Sequence, residues 1–266
     1  MSTTPPPLLE LQKLSFTYPG ARRPVLADIE FSLEEHQKIG LIGTNGSGKT
    51  TLFHLIMGLL RPTAGELLFE GRPLREQKDF LALRRSIGLL FQDADDQLFS
   101  PTVIEDVAFG PLNLGASPAE ARERSEKILA ELGLTHLRDR ITHQLSGGEK
   151  KLVSLATILV MEPKALLLDE PTNNLDAETR TRLIEILEGL DLAYILISHD
   201  WDFLAHTSRE IFAIDKGRLL RSENVYFHNH RHFHPCGDIP HKHGGQPHGH
   251  DHEHEHHHHH DQNDDS

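Results

Sequence analysis

The sequence predicts an α/β fold with a parallel core and an early antiparallel portion, and three observations lead there. Residues 38–42, 165–168 and 193–197 are short, continuous apolar runs, the pattern of strands covered on both faces. Helix-like stretches separate most of the strand-like ones, so the two kinds alternate along the chain. Between the first of those runs and the helix-like stretch 51–60 stands Gly43-Thr44-Asn45-Gly46-Ser47-Gly48-Lys49-Thr50, which fits the phosphate-cradling pattern G-x-x-x-x-G-K-[ST]. A strand before it and a helix after it separate a working loop of this kind from a glycine turn that happens to carry Lys-Thr.

The elements follow in order. Residues 8–16 read as a first strand, and Val25, Ala27, Ile29, Phe31 and Leu33 alternate as a second, half-exposed one. After the glycine loop, Leu52, Leu55, Ile56 and Leu59 share one helical face. Arg61-Pro62-Thr63-Ala64-Gly65 makes a turn, residues 66–70 a strand closed by Gly71-Arg72-Pro73, and residues 86–91 another strand ending at Gln92. Ser117 caps a helix with Pro118 in its first position and Glu120 in its third, carrying Ala121, Ile128, Leu129 and Leu132 as far as Gly133. A further helix is expected to begin just after Ser146-Gly147-Gly148 and run to Met161, and another spans 177–190 between the last two buried strands.

Composition narrows the possibilities. At 266 residues and a formal net charge of −13, the chain has length for a real core and the wrong sign for a nucleic-acid binder. Its single cysteine, Cys236, makes no internal disulfide and fits a reducing compartment. The start, Met-Ser-Thr-Thr-Pro-Pro-Pro, has neither the basic nor the apolar region of a secretory signal. The apolar run 155–161 falls far short of the ~20 residues of a membrane span. A soluble chain is expected, with any membrane role taken through a partner. Composition breaks near Tyr226: residues 1–227 have a globular mix, whereas residues 228–266 hold fifteen of the twenty-one histidines and almost nothing apolar after Phe233. That second stretch cannot bury enough surface to offset its ordering entropy and reads as a disordered tail.

Two motifs carry chemistry. In the glycine loop, the backbone N–H groups form a nest for phosphate oxygens, backed by the positive end of the following helix. Lys49 would reach the β- and γ-phosphates and Thr50 would hold Mg²⁺. The apolar run 165–168 ends in Asp169-Glu170; beside the loop, Asp169 would bind Mg²⁺ and Glu170 would orient or deprotonate an attacking water.

Leu145-Ser146-Gly147-Gly148-Glu149, about a hundred residues beyond the glycine loop and about twenty before Asp169, resembles the signature of the ATP-binding cassette (ABC) ATPases. Tyr18, Gln92, Asn174-Leu175-Asp176 and Ser198-His199-Asp200 stand in that family's order, so the resemblance covers the globular part and none of the tail. It implies a RecA-like parallel core with an antiparallel β subdomain and an α-helical subdomain. It also implies that Tyr18 stacks on adenine, that residues 43–50 with Thr51 hold the phosphates, and that Gln92 contacts Mg²⁺ and the attacking water. By the same resemblance His199 contacts the γ-phosphate beside Glu170, and Ser146, Gly147, Gly148, Glu149 and Asp176 belong to the nucleotide site. In that family the signature faces ATP bound to a second subunit, so two ATP molecules are held between head-to-tail protomers. With one set of motifs, the working unit is expected to be a homodimer or a heterodimer with a similar chain. Glu149 stands where the family more usually has Gln, and Thr44 where it commonly has Pro.

The stretch 91–115, from Phe91-Gln92-Asp93 to Asn113-Leu114-Gly115, is similar to the segment after this glutamine in energy-coupling-factor importers, the cobalt and nickel uptake systems among them. The resemblance implies an integral membrane coupling (T) subunit and a substrate-binding (S) subunit as partners, at the cytoplasmic face of a bacterial membrane. The tail bears on cargo. His228, His230, His232 and His234 alternate, followed by His241, His243, His248, His250, His252, His254 and the run His256, His257, His258, His259 and His260, with Asp251, Glu253 and Glu255 interleaved. Clustered neutral imidazoles suit Ni²⁺ or Co²⁺, and Zn²⁺ and Cu²⁺ as well. An expression tag fits less well, because irregular histidines precede the run and Asp261-Gln262-Asn263-Asp264-Asp265-Ser266 follows it. The expectation is an ATP-hydrolysing importer subunit for nickel or cobalt. A cassette for zinc or a vitamin, a soluble ABC ATPase without a membrane partner, and a metal-buffering protein remain as alternatives.

Overall fold

The buried apolar runs become the middle of a six-stranded sheet in the computed structural model of the chain, which describes residues 5–221. The elements run β1 (Leu9–Phe16), β2 (Leu26–Leu33), β3 (Lys38–Ile42), α1 (Lys49–Ile56), β4 (Ala64–Phe69), β5 (Arg72–Pro73), α2 (Gln77–Ser86) and β6 (Ile87–Leu90). They continue with α3 (Val103–Asn113), α4 (Pro118–Glu131), α5 (Gly147–Leu159), β7 (Ala165–Asp169), α6 (Ala177–Gly189), β8 (Ala193–Ile197), α7 (Trp201–Thr207), β9 (Glu210–Asp215) and β10 (Arg218–Arg221). The described residues fall in one compact unit.

The main sheet has the order β10-β9-β3-β8-β7-β6 and is parallel from β9 to β6, with β10 antiparallel at its edge. A second, antiparallel sheet has the order β2-β1-β4-β5. This is the parallel core with an early antiparallel portion that the apolar patterning predicts. Every residue of β7 and of β8 is buried, as continuous apolar runs between helical layers require. One core packs the antiparallel sheet and α1 against one face of the parallel sheet; a second packs residues of α3, α4, α5 and α6 against the other. The second is the helical part, in which α3 lies against α4 and α5.

Three local differences from the sequence reading have physical causes. Helix α1 starts at Lys49 and ends at Ile56, because Gly58 takes a left-handed φ of +65° and its missing Cβ leaves room for the Phe80 ring. Helix α5 starts at Gly147 itself, with Ser146 as its cap, so both glycines lie inside its first turn. Helix α3 falls in the stretch singled out above only for its resemblance; Thr102 and Glu105 form a capping box at its start, and Pro111 sits within its last turn.

Register decides where the site lies. Leu41 of β3 pairs with Ile197 of β8, and Ile197 pairs with Asp169 of β7. The glycine loop, the carboxylate pair and His199 therefore emerge side by side at the carboxyl ends of adjacent parallel strands, the edge where α/β sheets bind ligands.

Candidate active site

The glycine loop leaves β3 and closes on the first turn of α1. Gly48 adopts φ +107°, and a Cβ there would lie 2.9 Å from both Val25 and Leu26, so only glycine fits. The loop, with Lys49, Thr50 and Thr51, lines a cleft of about 580 Å³ that also takes in Tyr18, Val25, Gln92, Asp169, Glu170, Asn173 and His199. The sequence-predicted phosphate, carboxylate and histidine residues thus meet in one place. Tyr18 is 41% exposed, packs edge-on against Phe16, and shares a 3.1 Å hydrogen bond between its hydroxyl and that of Thr51. An exposed ring face on the cleft wall is what stacking on a base requires.

Lys49 is buried, and its ammonium donates to the carbonyls of Gly43 (2.8 Å) and Thr44 (3.3 Å). Burial lowers its pKa, opposed by the nearby charges of Glu170 and Asp169. Asp169 is buried as well, and burial raises its pKa while the Thr50 hydroxyl, His54, Lys49 and Lys151 pull it back. Its Oδ1 has no hydrogen-bond partner. A buried carboxylate oxygen left bare beside a threonine hydroxyl suits a hard divalent cation with oxygen ligands, so the donor set fits Mg²⁺. Bound there by Thr50 and Asp169, the ion would neutralise phosphate charge. Among the described residues no cluster of three or more His, Cys, Asp or Glu side chains is arranged to hold a further metal ion. The tail histidines, His228 to His260, lie outside the described residues.

Glu170 follows at the strand end with a left-handed φ of +45°, its N–H bonded to the Ile197 carbonyl at 3.0 Å. That backbone turn aims the side chain into the cleft, where its Oε1 lies 3.1 Å from His199 Nε2. Burial raises the Glu170 pKa; His199 and Lys49 pull it down. A carboxylate so shifted is a better proton acceptor near neutrality than an exposed one. The residue after His199 is tied to α6, where Arg180 grips Asp200 through two bonds of 2.8 and 3.1 Å and reaches Asp202 at 2.7 Å. Sequence reasoning missed Arg180: nothing local marks a pair twenty residues apart.

These shifts carry a sign that kinetics can read. Glu170 must be ionised to take a proton, so the acid limb of the kcat–pH profile is expected above the ordinary carboxylate range. His199→Ala removes the imidazole that pulls Glu170 down, so the limb should move to higher pH as kcat falls. A limb that stays put in a less active variant would detach His199 from Glu170.

The remaining site residues lie around the helix starts. Ser146 caps α5: its N–H donates to Glu149 Oε2 at 2.7 Å, and its hydroxyl accepts from the Glu149 N–H at 3.3 Å. The Ser146 N–H holds the Glu149 carboxyl below its usual range, so Glu149 is a charged partner in the cap. Asp176 caps α6, accepting from the Thr179 N–H (2.8 Å) and hydroxyl (2.9 Å). Gly148 packs against that same Thr179, whose hydroxyl would lie 2.7 Å from an added Cβ. The start of α5 and the Asp176 turn therefore touch, and neither Ser146 nor Asp176 lines the glycine-loop cleft of its own chain. A second cleft adjoins it, sharing Thr50, Gln92, Asp169 and Asn173 and reaching Gly147, Lys150 and Lys151 on α5.

Comparison with known proteins agrees with this geometry. A family model described as ABC transporter matches residues 26–173. A protein of Nitratidesulfovibrio vulgaris provisionally named as an ABC transporter ATP-binding protein is 53% identical over 241 residues, 91% of this chain and 88% of its own. The energy-coupling factor transporter ATP-binding protein EcfA of Methanothermobacter thermautotrophicus is 42% identical, over 80% of this chain and 70% of its own. The cobalt import ATP-binding protein CbiO of Rhodobacter capsulatus is 42% identical, over 80% of this chain and 78% of its own. Among solved structures, CbiO1 of Clostridium perfringens, part of an ABC transporter complex, superposes with a TM-score of 0.72 at 37% identity, covering 80% of this chain and 87% of that one. A glycine loop, a carboxylate pair and a histidine converging at one sheet edge, with these relatives, place the chain in the ABC transporter family as an ATP-binding cassette of the energy-coupling-factor and cobalt-importer type.

Proposed function

We propose that this cassette hydrolyses ATP to ADP and phosphate as a dimer, and so drives an energy-coupling-factor importer of nickel or cobalt from the cytoplasmic face of a bacterial membrane. In this reading each ATP is held by residues 43–51 of one protomer and by Ser146, Gly147 and Gly148 of the other. The placement of Ser146 and Asp176 outside the cleft of their own chain supports that division. Glu170 accepts the proton of the attacking water, His199 steadies Glu170 and the γ-phosphate, and Lys49 carries the β- and γ-phosphate charge. A solved dimeric ABC cassette bound to ADP and Pi, 25% identical with a TM-score of 0.71, supports pairing of this kind.

The observation that carries the membrane role is an uncovered apolar strip in the stretch that follows Gln92 in sequence. Phe99 is 65% exposed and packs edge-on against Phe109 at 4.6 Å between ring centres, with Leu112 and Leu114 exposed on the end of the same helix. Apolar side chains gathered at one place on the surface mark a contact with another protein. Among the described residues no helix is long and apolar enough to cross a membrane, so the partner would supply the spans. The family resemblance of residues 91–115 makes that partner the coupling subunit, with a substrate-binding subunit beyond it.

Cargo is tested by uptake. Cells carrying the full importer should accumulate radiolabelled nickel or cobalt in an ATP-dependent way, and lose this with the cassette. Uptake of zinc or a vitamin instead would reassign the cargo, and a cassette that purifies without integral membrane subunits would remove the transport role. Deleting residues 228–266 is expected to lower uptake when the metal is scarce and to spare it when abundant. Unchanged uptake in scarcity would make the tail accessory.

A further inference from the structure

Lys151 is a buried cation that the reaction described so far does not use. It sits in the second turn of α5 with 3% of its surface exposed. Its ammonium donates to the carbonyls of Gln92 (2.7 Å) and Phe91 (3.1 Å). The Phe91 N–H on the other side of the same residue bonds Gln97 Oε1 at 3.3 Å, and the Gln97 amide bonds the Ser154 carbonyl (2.8 Å) and the Thr157 hydroxyl (2.9 Å) of α5. Helix α5 thus grips the backbone of Phe91 and Gln92 from both sides. Lys150 adds an ion pair to Asp95 at 2.6 Å, a few residues further along the same loop.

Burying an ammonium is expensive, and a well-packed apolar side chain of similar size is often neutral or better for stability. Two backbone carbonyls, with Asp93 and Asp169 nearby, compensate that charge here. Position gives the expense a use. Ser146 opens the same helix five residues earlier, about 7.5 Å away along its axis. A rigid helix therefore carries the serine-glycine start at its tip and the anchor of the Gln92 loop in its second turn.

We propose that Lys151 is a positioning residue: it ties the Gln92 backbone to the helix that begins at Ser146, so that seating ATP from the second protomer on that helix also sets Gln92 at the attacking water. This rests on the dimeric reading above, and its test is separable from that reading. The full-length chain is assayed for steady-state phosphate release as wild type, Lys151→Met, Gln92→Ala and the double variant. Lys151→Met should lower kcat about tenfold or more while leaving the KM for ATP within about threefold. In the Gln92→Ala background the same change should cost less than about twofold, because a residue that acts through Gln92 has nothing left to position. A mere packing defect would cost the same factor in both backgrounds, and that result overturns the proposal. So does an unchanged kcat in Lys151→Met, or no loss in Gln92→Ala alone. If Lys151→Met does not fold, Lys151→Gln, which keeps a donor, is run through the same cycle with the same criteria. ATP-dependent pairing of the Glu170→Gln variant tests the dimeric reading independently: if it pairs while the cycle is additive, only the role of Lys151 is lost.

Discussion

Replacing Glu170 with glutamine is expected to leave ATP binding intact and to reduce turnover by at least about a hundredfold, the usual scale for removing a positioned proton acceptor. The side chain is almost fully buried, 3.1 Å from His199, and set by a backbone turned to φ +45°. Glutamine keeps that size and can keep the contact with His199, but it cannot take a proton from water. The nest and Lys49 are untouched, so nucleotide should bind as before. ATP that binds and is not consumed should also hold two protomers together, because the charge that bridges the glycine loop of one and the serine-glycine helix of the other persists. The single tryptophan, Trp201, is 54% exposed two residues beyond His199 and can report binding by fluorescence. Phosphate release, tryptophan titration and size measurement with and without ATP check the three parts. Undiminished hydrolysis would remove Glu170 as the proton acceptor, and a variant that stays monomeric with ATP and its membrane subunits would remove the shared site.

What the sequence makes legible follows from how local each cause is. Lys38–Ile42 appears as the same five residues in pattern and in structure, since a strand buried through Ile39, Gly40 and Leu41 needs only a short apolar run. The glycine loop is legible for a similar reason: its chemistry lies in eight consecutive residues. Ser117 with Pro118 and Glu120 predicts the start of α4, and all three take the expected cap positions. His199 is different. Its place at a strand end suggests a site, but its pairing with Glu170 needs β7 beside β8, a register that no local pattern specifies. Lys151 is hidden for a further reason. Helix α5 is buried at every position from 151 to 156, so periodicity does not show which side faces the Gln92 loop. Arg180 and Gln97 likewise owe their roles to partners distant in sequence, and α3 interrupts its apolar pattern with Gly110 and Pro111.

Lys49→Ala is expected to weaken ATP binding by about ten- to a hundredfold, from the loss of one charge-assisted hydrogen bond worth about 1.5–3 kcal/mol. The contacts of the Lys49 side chain show why the loss should fall on binding rather than folding. Among the described residues the ammonium donates only to the Gly43 and Thr44 carbonyls of its own loop, and that loop keeps its shape through Gly48 and the first turn of α1. Removing it also takes a positive charge from beside Asp169 and Glu170, whose buried carboxylates should then ionise at higher pH. Calorimetric titration at fixed salt measures the affinity, and thermal melting should show the variant folded. Lys49→Arg separates charge from shape: it restores a cation, but a planar fork replaces a compact ammonium that is closely enclosed by loop carbonyls, so recovery should be partial at best. Full recovery with arginine would mean that only net charge matters here, and unchanged affinity in Lys49→Ala would mean that the glycine loop does not hold the phosphates.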